Sequence, residues 1–426
     1  MRQSQLGNLG VAALALLNVV LWIIFPPENG GGAYFAVQVI SEILSSTGMV
    51  LIACAIILSL RPRFLEPFFG GLDKMYKTHK TAALSGLALV LLHFLTMPGL
   101  GEITPGRLLG KIALFGMLTL VALTVAPRLP VLGGYLQLAY HHWRWTHKLI
   151  GAFFILGMLH TFNVKNVLQT AEIPALYWKI VAYAGAGAYV YQIVVAPFVR
   201  GMQRFTVTDV QRLNNSTIEV TLTPDGKQPI QRAGQFAFVR FPDDRVLREP
   251  HPFTVSSSPD EPSLRLSIKA AGDWTKHLYQ HITPGVAAQI DGCYGEFDHT
   301  RGGPQQIWIA GGIGVTPFLS WVRTMVANPG QRIHFFYTVR AESDALFWDE
   351  FAAADQRYTN FSAILNISSR DGSLTIDRIA ATVGADLAAM NFYLCGPLTM
   401  TQALSAGLLA RGVPRHHIHF EEFNFR

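Results

Sequence analysis

Cysteine is scarce: Cys54, Cys293 and Cys395 are the only three in 426 residues, they lie far apart, and no CxxC pair occurs. An odd, scattered set supports neither a disulfide framework nor a cysteine-ligated zinc site. Long basic runs are missing too, although the net charge is +6 and the pI about 9.2, so nucleic acid is not indicated as a partner. Charge of either sign is sparse through long stretches of the first 200 residues, while the remainder has the composition of an ordinary soluble protein. The positive mean hydropathy of +0.28 averages over that division.

Six apolar segments occupy the first part, at about 9–25, 36–60, 81–97, 108–126, 149–163 and 176–199. Each approaches the ~20 residues a helix needs to cross hydrocarbon. The first follows Arg2 like a signal peptide, but five more succeed it, so it reads as a transmembrane helix. Arg61, Arg63, Lys74, Lys77 and Lys80 lie between the second and third segments, and Arg128, Arg144 and Lys148 between the fourth and fifth. The loops of the other side hold only Arg107, Lys111, Lys165 and Lys179. This bias places both termini in the cytoplasm of a protein integral to the plasma (inner) membrane.

The third and fifth segments each carry a histidine pair, His79 with His93 and His147 with His160. Fourteen helical residues span roughly 21 Å and thirteen nearly as much. With the two helices parallel, as the topology requires, His79 faces His147 at the inner level and His93 faces His160 at the outer. One histidine at a membrane helix end is ordinarily an interfacial residue, but ionisable groups inside a bilayer are rare and usually functional. Two pairs at matching spacing point to bis-histidine ligation of two stacked haems. Fourteen residues is close to four whole turns and thirteen is not, so either the second helix is distorted, with Gly151 and Gly157 giving room, or the haems meet it at different azimuths. Lys77, Arg144 and Lys148 beside the inner pair either neutralise propionates or are ordinary cytoplasmic-side charges. Glu42 is either an interfacial residue or an acid serving the outer site. His141 and His142 read as solvated loop residues.

From Phe205 the pattern changes to six short segments rich in Val, Thr, Ile and Phe, near 205–212, 217–223, 235–241, 251–256, 264–270 and 288–294, a small antiparallel barrel. After Gly302, strands near 306–310, 333–338 and 392–395 alternate with helices, which indicates a parallel α/β sheet. Gly311–Gly312–Ile313–Gly314–Val315–Thr316–Pro317 joins a strand to a helix, where bare backbone and helix-start amides suit a phosphate. His251–Pro252–Phe253–Thr254 ends a strand with an aromatic and a hydroxyl that can cradle a flat ring, or simply turn a barrel corner. Gly272–Asp273–Trp274–Thr275 opens a helix whose amides suit another phosphate.

Taken in order, the four histidines, His251 to Thr254, Gly272 to Thr275, Gly311 to Phe318, Cys395 to Pro397 and the closing Glu421–Glu422–Phe423 resemble the ferric reductase and NADPH oxidase superfamily over nearly the whole chain. The resemblance implies a six-helix transmembrane bundle with two b-type haems over residues 1–204. A ferredoxin reductase-like module would follow, with an FAD-binding antiparallel β-barrel over 205–300 and an NAD(P)H-binding α/β domain over 301–426. By it, His251, Pro252, Phe253 and Thr254 lie along the flavin, and Gly272, Trp274 and Thr275 hold its pyrophosphate. Gly311, Gly312, Gly314, Thr316 and Pro317 receive the NAD(P)H pyrophosphate, and Cys395, Gly396 and Pro397 flank the nicotinamide. Phe423 stacks on the isoalloxazine, with Phe425 a rival. Thr254, Cys395 and Phe423 would then be the catalytic residues. The family's Asp-Gly-Pro-Tyr-Gly stretch is Asp291 to Gly295 here, with Cys293 in place of proline.

Arg340 and Arg370 would take a 2′-phosphate and favour NADPH, whereas Glu342 nearby argues for NADH. The expectation is an enzyme passing electrons from cytoplasmic NAD(P)H through FAD and the haems to an outside acceptor. That acceptor would be O2, giving superoxide; a ferric or cupric chelate, or a periplasmic partner protein, is the alternative. No obligatory regulatory protein is expected.

Overall fold

The computed structural model describes residues 3–28, 32, 34–97, 104–126, 140–199, 202–227, 231–326, 330–384 and 386–421. The chain divides into two compact units, Met1–Arg200 and Gly201–Arg426.

The first unit is helical: α1 (Gln3–Ile24), α2 (Phe35–Ser59), a short α3 (Glu66–Phe69), α4 (Leu72–Thr96), α5 (Pro105–Val125), α6 (Tyr140–Lys148), α7 (Ile150–Asn163), α8 (Glu172–Val190) and, after a π turn, α9 (Ala196–Val199). Among the described residues, α1, α2, α4, α5 and the continuous stretch Glu172–Val199 are long and apolar enough to cross a membrane. The fifth expected segment differs. Its helix α7 has 14 residues and by itself rises only ~21 Å against a hydrocarbon core of about 30 Å.

Uncharged apart from Glu42, α2 is the centre of the unit and packs on α1, α4 and α8. A Cβ on Gly48 would sit 2.7 Å from the Gly86 carbonyl oxygen, so α2 and α4 cross backbone against backbone in the manner of small-residue membrane helix contacts. Helix α7 packs instead on α5, whose start is set by Thr104, the acceptor for the Arg107 N–H (3.3 Å), with Pro105 at the first position. Among the described residues no comparable interface joins α4, which carries His79 and His93, to α6 or α7, which carry His147 and His160.

The second unit holds both expected sheets. Strands β1 (Gln203–Asn214), β2 (Thr217–Pro224), β3 (Phe236–Arg240), β4 (His251–Thr254), β5 (Leu264–Lys269) and β6 (Ala287–Tyr294) form one antiparallel sheet in the order β4-β3-β6-β1-β2-β5. A bridge from Val255 to Leu266 closes it towards a barrel, and α10 (Asp273–His281) plugs it with Trp274 and Leu278. Alternation of side chains along β1, β2 and β5 fills that core with Phe205, Val207, Ile218, Val220, Leu264 and Leu266.

The parallel sheet has the order β11-β10-β7-β8-β9, built from β7 (Gln305–Gly311), β8 (Arg332–Val339), β9 (Phe361–Ile367), β10 (Asn391–Cys395) and β11 (Ile418–Phe420). Helices α11 (Thr316–Arg323), α12 (Trp348–Arg357), α13 (Ser368–Asp371), α14 (Ile376–Val383) and α15 (Leu398–Ala410) intervene. The chain winds from β7 outward to β9, then returns to lay β10 on the other side of β7. That reversal makes the carboxyl ends of β7 and β10 a topological switch point, where open α/β sheets leave a ligand crevice.

Candidate functional site

In the first unit one pair of histidine rings is in contact, and the other two histidines lie within electrostatic range of each other. His79 and His147 have ring centroids 6.3 Å apart at 62°, and His93 and His160 are electrostatic neighbours at the other level, so α4 and α7 run in the same direction. Three of the four rings have the same support: His79 Nδ1 donates to the Ala55 carbonyl (2.7 Å), His93 Nδ1 to the Ser41 carbonyl (3.0 Å) and His160 Nδ1 to the Gly106 carbonyl (2.8 Å). A donating Nδ1–H leaves Nε2 with its lone pair free, the tautomer and orientation found in metal-bound imidazoles. His147 differs, since its Nδ1 is buried without a partner among the described residues and its ring stacks on Trp143 at 5.2 Å.

The irregular spacing of the second pair has a local cause. Leu149 donates to Thr146, three residues back (3.0 Å), and separates α6 from α7. Each residue of such a 3₁₀ turn rotates about 20° more than an α-helical one, which carries thirteen residues towards whole turns. The distortion lies at Leu149, not at Gly151 or Gly157; Gly151 is needed for a different reason, as a Cβ there would stand 2.1 Å from the Tyr189 ring. At the outer level a Cβ on Gly110 would stand 2.8 Å from His160 Nδ1, so bare backbone on α5 makes room for that imidazole.

Glu42, 5% exposed, accepts the Val167 and Leu168 amides (2.7 and 2.5 Å). Its carboxylate is thus committed to fastening α2 to the connection between α7 and α8 instead of standing free at the interface. Beside it lies a cavity of about 360 Å³ lined by Glu28, Gln38, Met97 and Lys165 among others. Ser41, next to Glu42, joins this region to the outer pair through its Oγ, 2.9 Å from His93 Nδ1.

In the second unit, His251–Thr254 forms β4 and pairs with β3, Thr254 opposite Phe236. Trp274 lies under this strand, 8% exposed, with its ring 4.6 Å from His251 and 5.4 Å from Phe253. It is therefore part of the barrel core beneath the strand. The Thr275 hydroxyl accepts the Ala271 and Gly272 amides (3.0 and 2.9 Å), which closes the helix start and leaves the first amides of α10 for an anion.

The glycine turn and the Cys395–Pro397 stretch meet at the switch point. Ala310 and Cys395 are register partners, and a Cβ on Gly314 would sit 2.4 Å from the Cys395 carbonyl oxygen, so two backbones touch there. Gly312 has φ +53 and faces open space, the left-handed geometry that favours glycine. Thr316 and Pro317 open α11. Cys395 is 1% exposed; burial, and behind it the Glu421 carboxylate, push its thiol well above the ordinary cysteine range. It is a neutral packing group here and not a thiolate nucleophile.

Val339 and Ile367 are paired, so Arg340 and Arg370 follow the ends of adjacent strands. Arg370 grips Asp371 through two bonds (2.8 and 3.0 Å), which with the Ile367 amide lowers that carboxyl to about 2. Glu422, Phe423 and Phe425 lie outside the described residues.

Residues 202–305 match the FAD-binding domain family and 308–406 the oxidoreductase NAD-binding domain family. The second unit has a ferredoxin reductase-like fold and is similar in sequence to FAD- and NAD-binding oxidoreductase domains. NADPH oxidase 1 of Mus musculus is a relative, 30% identical over 188 residues that cover 41% of this chain and 31% of that protein, consistent with the resemblance to NADPH oxidases and ferric reductases. The ferredoxin reductase component of 3-ketosteroid-9-alpha-monooxygenase from Rhodococcus rhodochrous is 26% identical over 197 residues, 45% of this chain and 56% of that one. The chain thus spans from about a third to a little over half of these relatives' length. A solved flavohemoglobin from Malassezia yamatoensis with bound FAD and heme shares the fold with a TM-score of 0.51 and 19% identity, covering 91% of this chain and 97% of that one.

Proposed function

We propose that this chain is a transmembrane oxidoreductase that takes electrons from cytoplasmic NAD(P)H and delivers them across the plasma membrane to dioxygen, forming superoxide. Its working parts are a membrane domain over 1–204, an FAD barrel over 205–300 and a nucleotide domain over 301–426. FAD supplies conversion of a two-electron hydride into single electrons, and two b-type haems supply their one-electron passage.

The histidine geometry carries the reading. An imidazole nitrogen sits ~2.0 Å from a bound metal ion, and about 1.1 Å from its own ring centre, so two imidazoles on one ion have centroids roughly 6.2 Å apart; His79 and His147 stand at 6.3 Å. No cluster of three or more His, Cys, Asp or Glu that could hold a metal exists among the described residues. A metal held between two such imidazoles would need its remaining ligands from a bound group, which a haem would supply. His79 with His147, and His93 with His160, would hold the two haems. Ser41, Ala55 and Gly106 orient three of the rings, and Lys77, Arg144 and Lys148 offer positive charge at the inner level. With two protein imidazoles holding each haem, the acceptor would be reduced without binding iron.

His251 to Thr254 hold the flavin along β4, and the helix start at Gly272, Trp274 and Thr275 receives its pyrophosphate, Gly272 as bare backbone with its own amide spent on the Thr275 hydroxyl and Trp274 and Thr275 through their amides. Gly311, Gly312, Gly314, Thr316 and Pro317 take the nucleotide pyrophosphate, with Cys395, Gly396 and Pro397 packed beside the nicotinamide. Arg340 and Arg370 favour NADPH, and Phe423 covers the flavin. One observation favours a chelated ferric or cupric ion as the acceptor: the cavity by Glu42, about 360 Å³, is of small-molecule size and far larger than dioxygen.

The deciding experiment is acceptor competition on purified protein loaded with haem and FAD. NADPH-driven cytochrome c reduction in air should be abolished by superoxide dismutase. Turnover insensitive to the dismutase, with preference for a ferric chelate under anaerobic conditions, overturns the oxidase reading.

A further inference from the structure

Arg323, the last residue of α11, has only 8% of its side chain exposed. Its Nε and Nη2 donate to the two carboxylate oxygens of Glu350 on α12 (2.8 and 2.6 Å). Nη1 donates to the Ser256 carbonyl (2.8 Å) and lies 3.7 Å from Glu219 on β2. The guanidinium carbon is 5.4 Å from the Phe347 ring centre. Earlier on the same helix, Ser320 donates to the Ser257 carbonyl (2.8 Å) and Trp321 Nε1 to the Ala233 carbonyl (3.1 Å). Glu219 is itself buried and accepts from Ser256 and Ser267 (3.4 and 3.2 Å).

These contacts make α11 a wall shared by the two halves of the module. Its first residue leaves the glycine turn of the nucleotide domain; its last is fastened to Ser256, two positions beyond Thr254 at the end of the flavin strand. A helix of eight residues is a rigid strut of ~12 Å, so clamping one end fixes the other. The clamp needs arginine: a planar fork of five donors reaches two carboxylates and a carbonyl together, which a lysine ammonium cannot do, and burying the charge is tolerable only with those partners.

We propose that Arg323 is a positioning residue for hydride transfer, setting the approach of the nucleotide turn to the flavin strand through α11. This rests on the reading of those two segments as the nicotinamide and flavin sites. The hydride carries two electrons from the reduced nicotinamide, which is oxidised, to the flavin, which is reduced and takes a proton from water. Arg323 touches neither segment's ligand face, so its loss acts on the rate of transfer and not on nucleotide affinity.

The test is anaerobic stopped-flow reduction of the full-length holoprotein by NADPH and by 4-deuterated NADPH. Arg323→Lys should keep its FAD content and its Kd for NADPH while flavin reduction slows by 10- to 100-fold, the order expected when reacting groups are misplaced by up to about 1 Å, and the isotope effect should rise. Glu350→Gln, altering a carboxylate 40% exposed, should move the same quantities in the same direction by less, and decides the matter should the arginine variant fail to fold. Flavin reduction at the unmodified rate in a folded variant, or slowing that merely tracks lost flavin with an unchanged isotope effect, overturns the proposal. Absence of NADPH-driven flavin reduction in the unmodified protein would instead overturn the reading of the two sites.

Discussion

Replacing Gly314 by alanine should separate hydride transfer from folding. An added Cβ would meet the Cys395 carbonyl oxygen at 2.4 Å, its carbon at 2.6 Å and Gly396 Cα at 2.7 Å. All three are backbone atoms of the β10 exit, so no side chain can swing away. Restoring ordinary contact at 3.4 Å from 2.4 Å requires the glycine turn and the β10 exit to part by about 1 Å. Overpacking of this kind costs about 1–3 kcal/mol, or roughly 2–12 °C in the unfolding midpoint of a unit of this size. The kinetic effect should be larger in proportion, ~100-fold in flavin reduction, because a 1 Å misplacement acts directly on the reacting distance. The assay is anaerobic loss of flavin absorbance after mixing with NADPH, with FAD content and thermal midpoint measured on the same sample. Gly384→Ala is the control, since this residue caps the end of α14, its Cβ meets open space and its φ of +64 costs backbone strain alone, on the order of 1–2 kcal/mol. If Gly314→Ala reduces its flavin at the unmodified rate, or the two variants behave alike, the backbone contact does not set the transfer geometry.

Gly110→Ala should displace the His160 ring, which a Cβ would approach to 2.8 Å. The expected result is loss of one haem equivalent by pyridine haemochrome assay with the inner haem retained, whereas full occupancy would count against His160 as a ligand. His299 is buried against Trp308 and Trp321, and burial lowers it from 6.5 to about 4. The neutral ring is favoured in the folded state, so its contribution to stability is complete above pH 6.5, falls as pH drops towards 4 and is flat below. Thermal unfolding of His299→Gln should lose that slope, and an unchanged pH profile would refute the assignment. Cys395, with its thiol raised by burial, should resist maleimide at pH 8 in the native protein and react after unfolding; rapid native labelling would contradict the packing.

The secondary elements were legible from the chain because their signals are local. Short segments rich in Val, Thr, Ile and Phe marked β1 to β6, the run Gln306 to Ala310 marked β7, and apolar stretches marked the bodies of α1, α2, α4, α5 and α8. The histidine spacing was likewise readable, since helical rise turns residue number into distance. The break at Leu149 was not, because a single 3₁₀ turn inside an apolar helix leaves no compositional trace. Nor was Arg323, which reads as any basic residue closing a helix, or Ser41 and Gly106, whose carbonyls matter only once α2 and α5 lie against α4 and α7.

By itself, then, the sequence determined which segments are apolar, how they alternate with charge, the order of the strands and helices along the chain and the levels at which histidines can pair. Tertiary structure alone decided that Glu42 is spent on two backbone amides, that Trp274 is core, that β10 returns beside β7 to bring Cys395 against Gly314, and that Arg323 joins the flavin barrel to the nucleotide helix. The division has one physical reason: periodicity and charge are properties of neighbouring residues, while burial, backbone contact and the partner of a polar group exist only between segments distant in the chain.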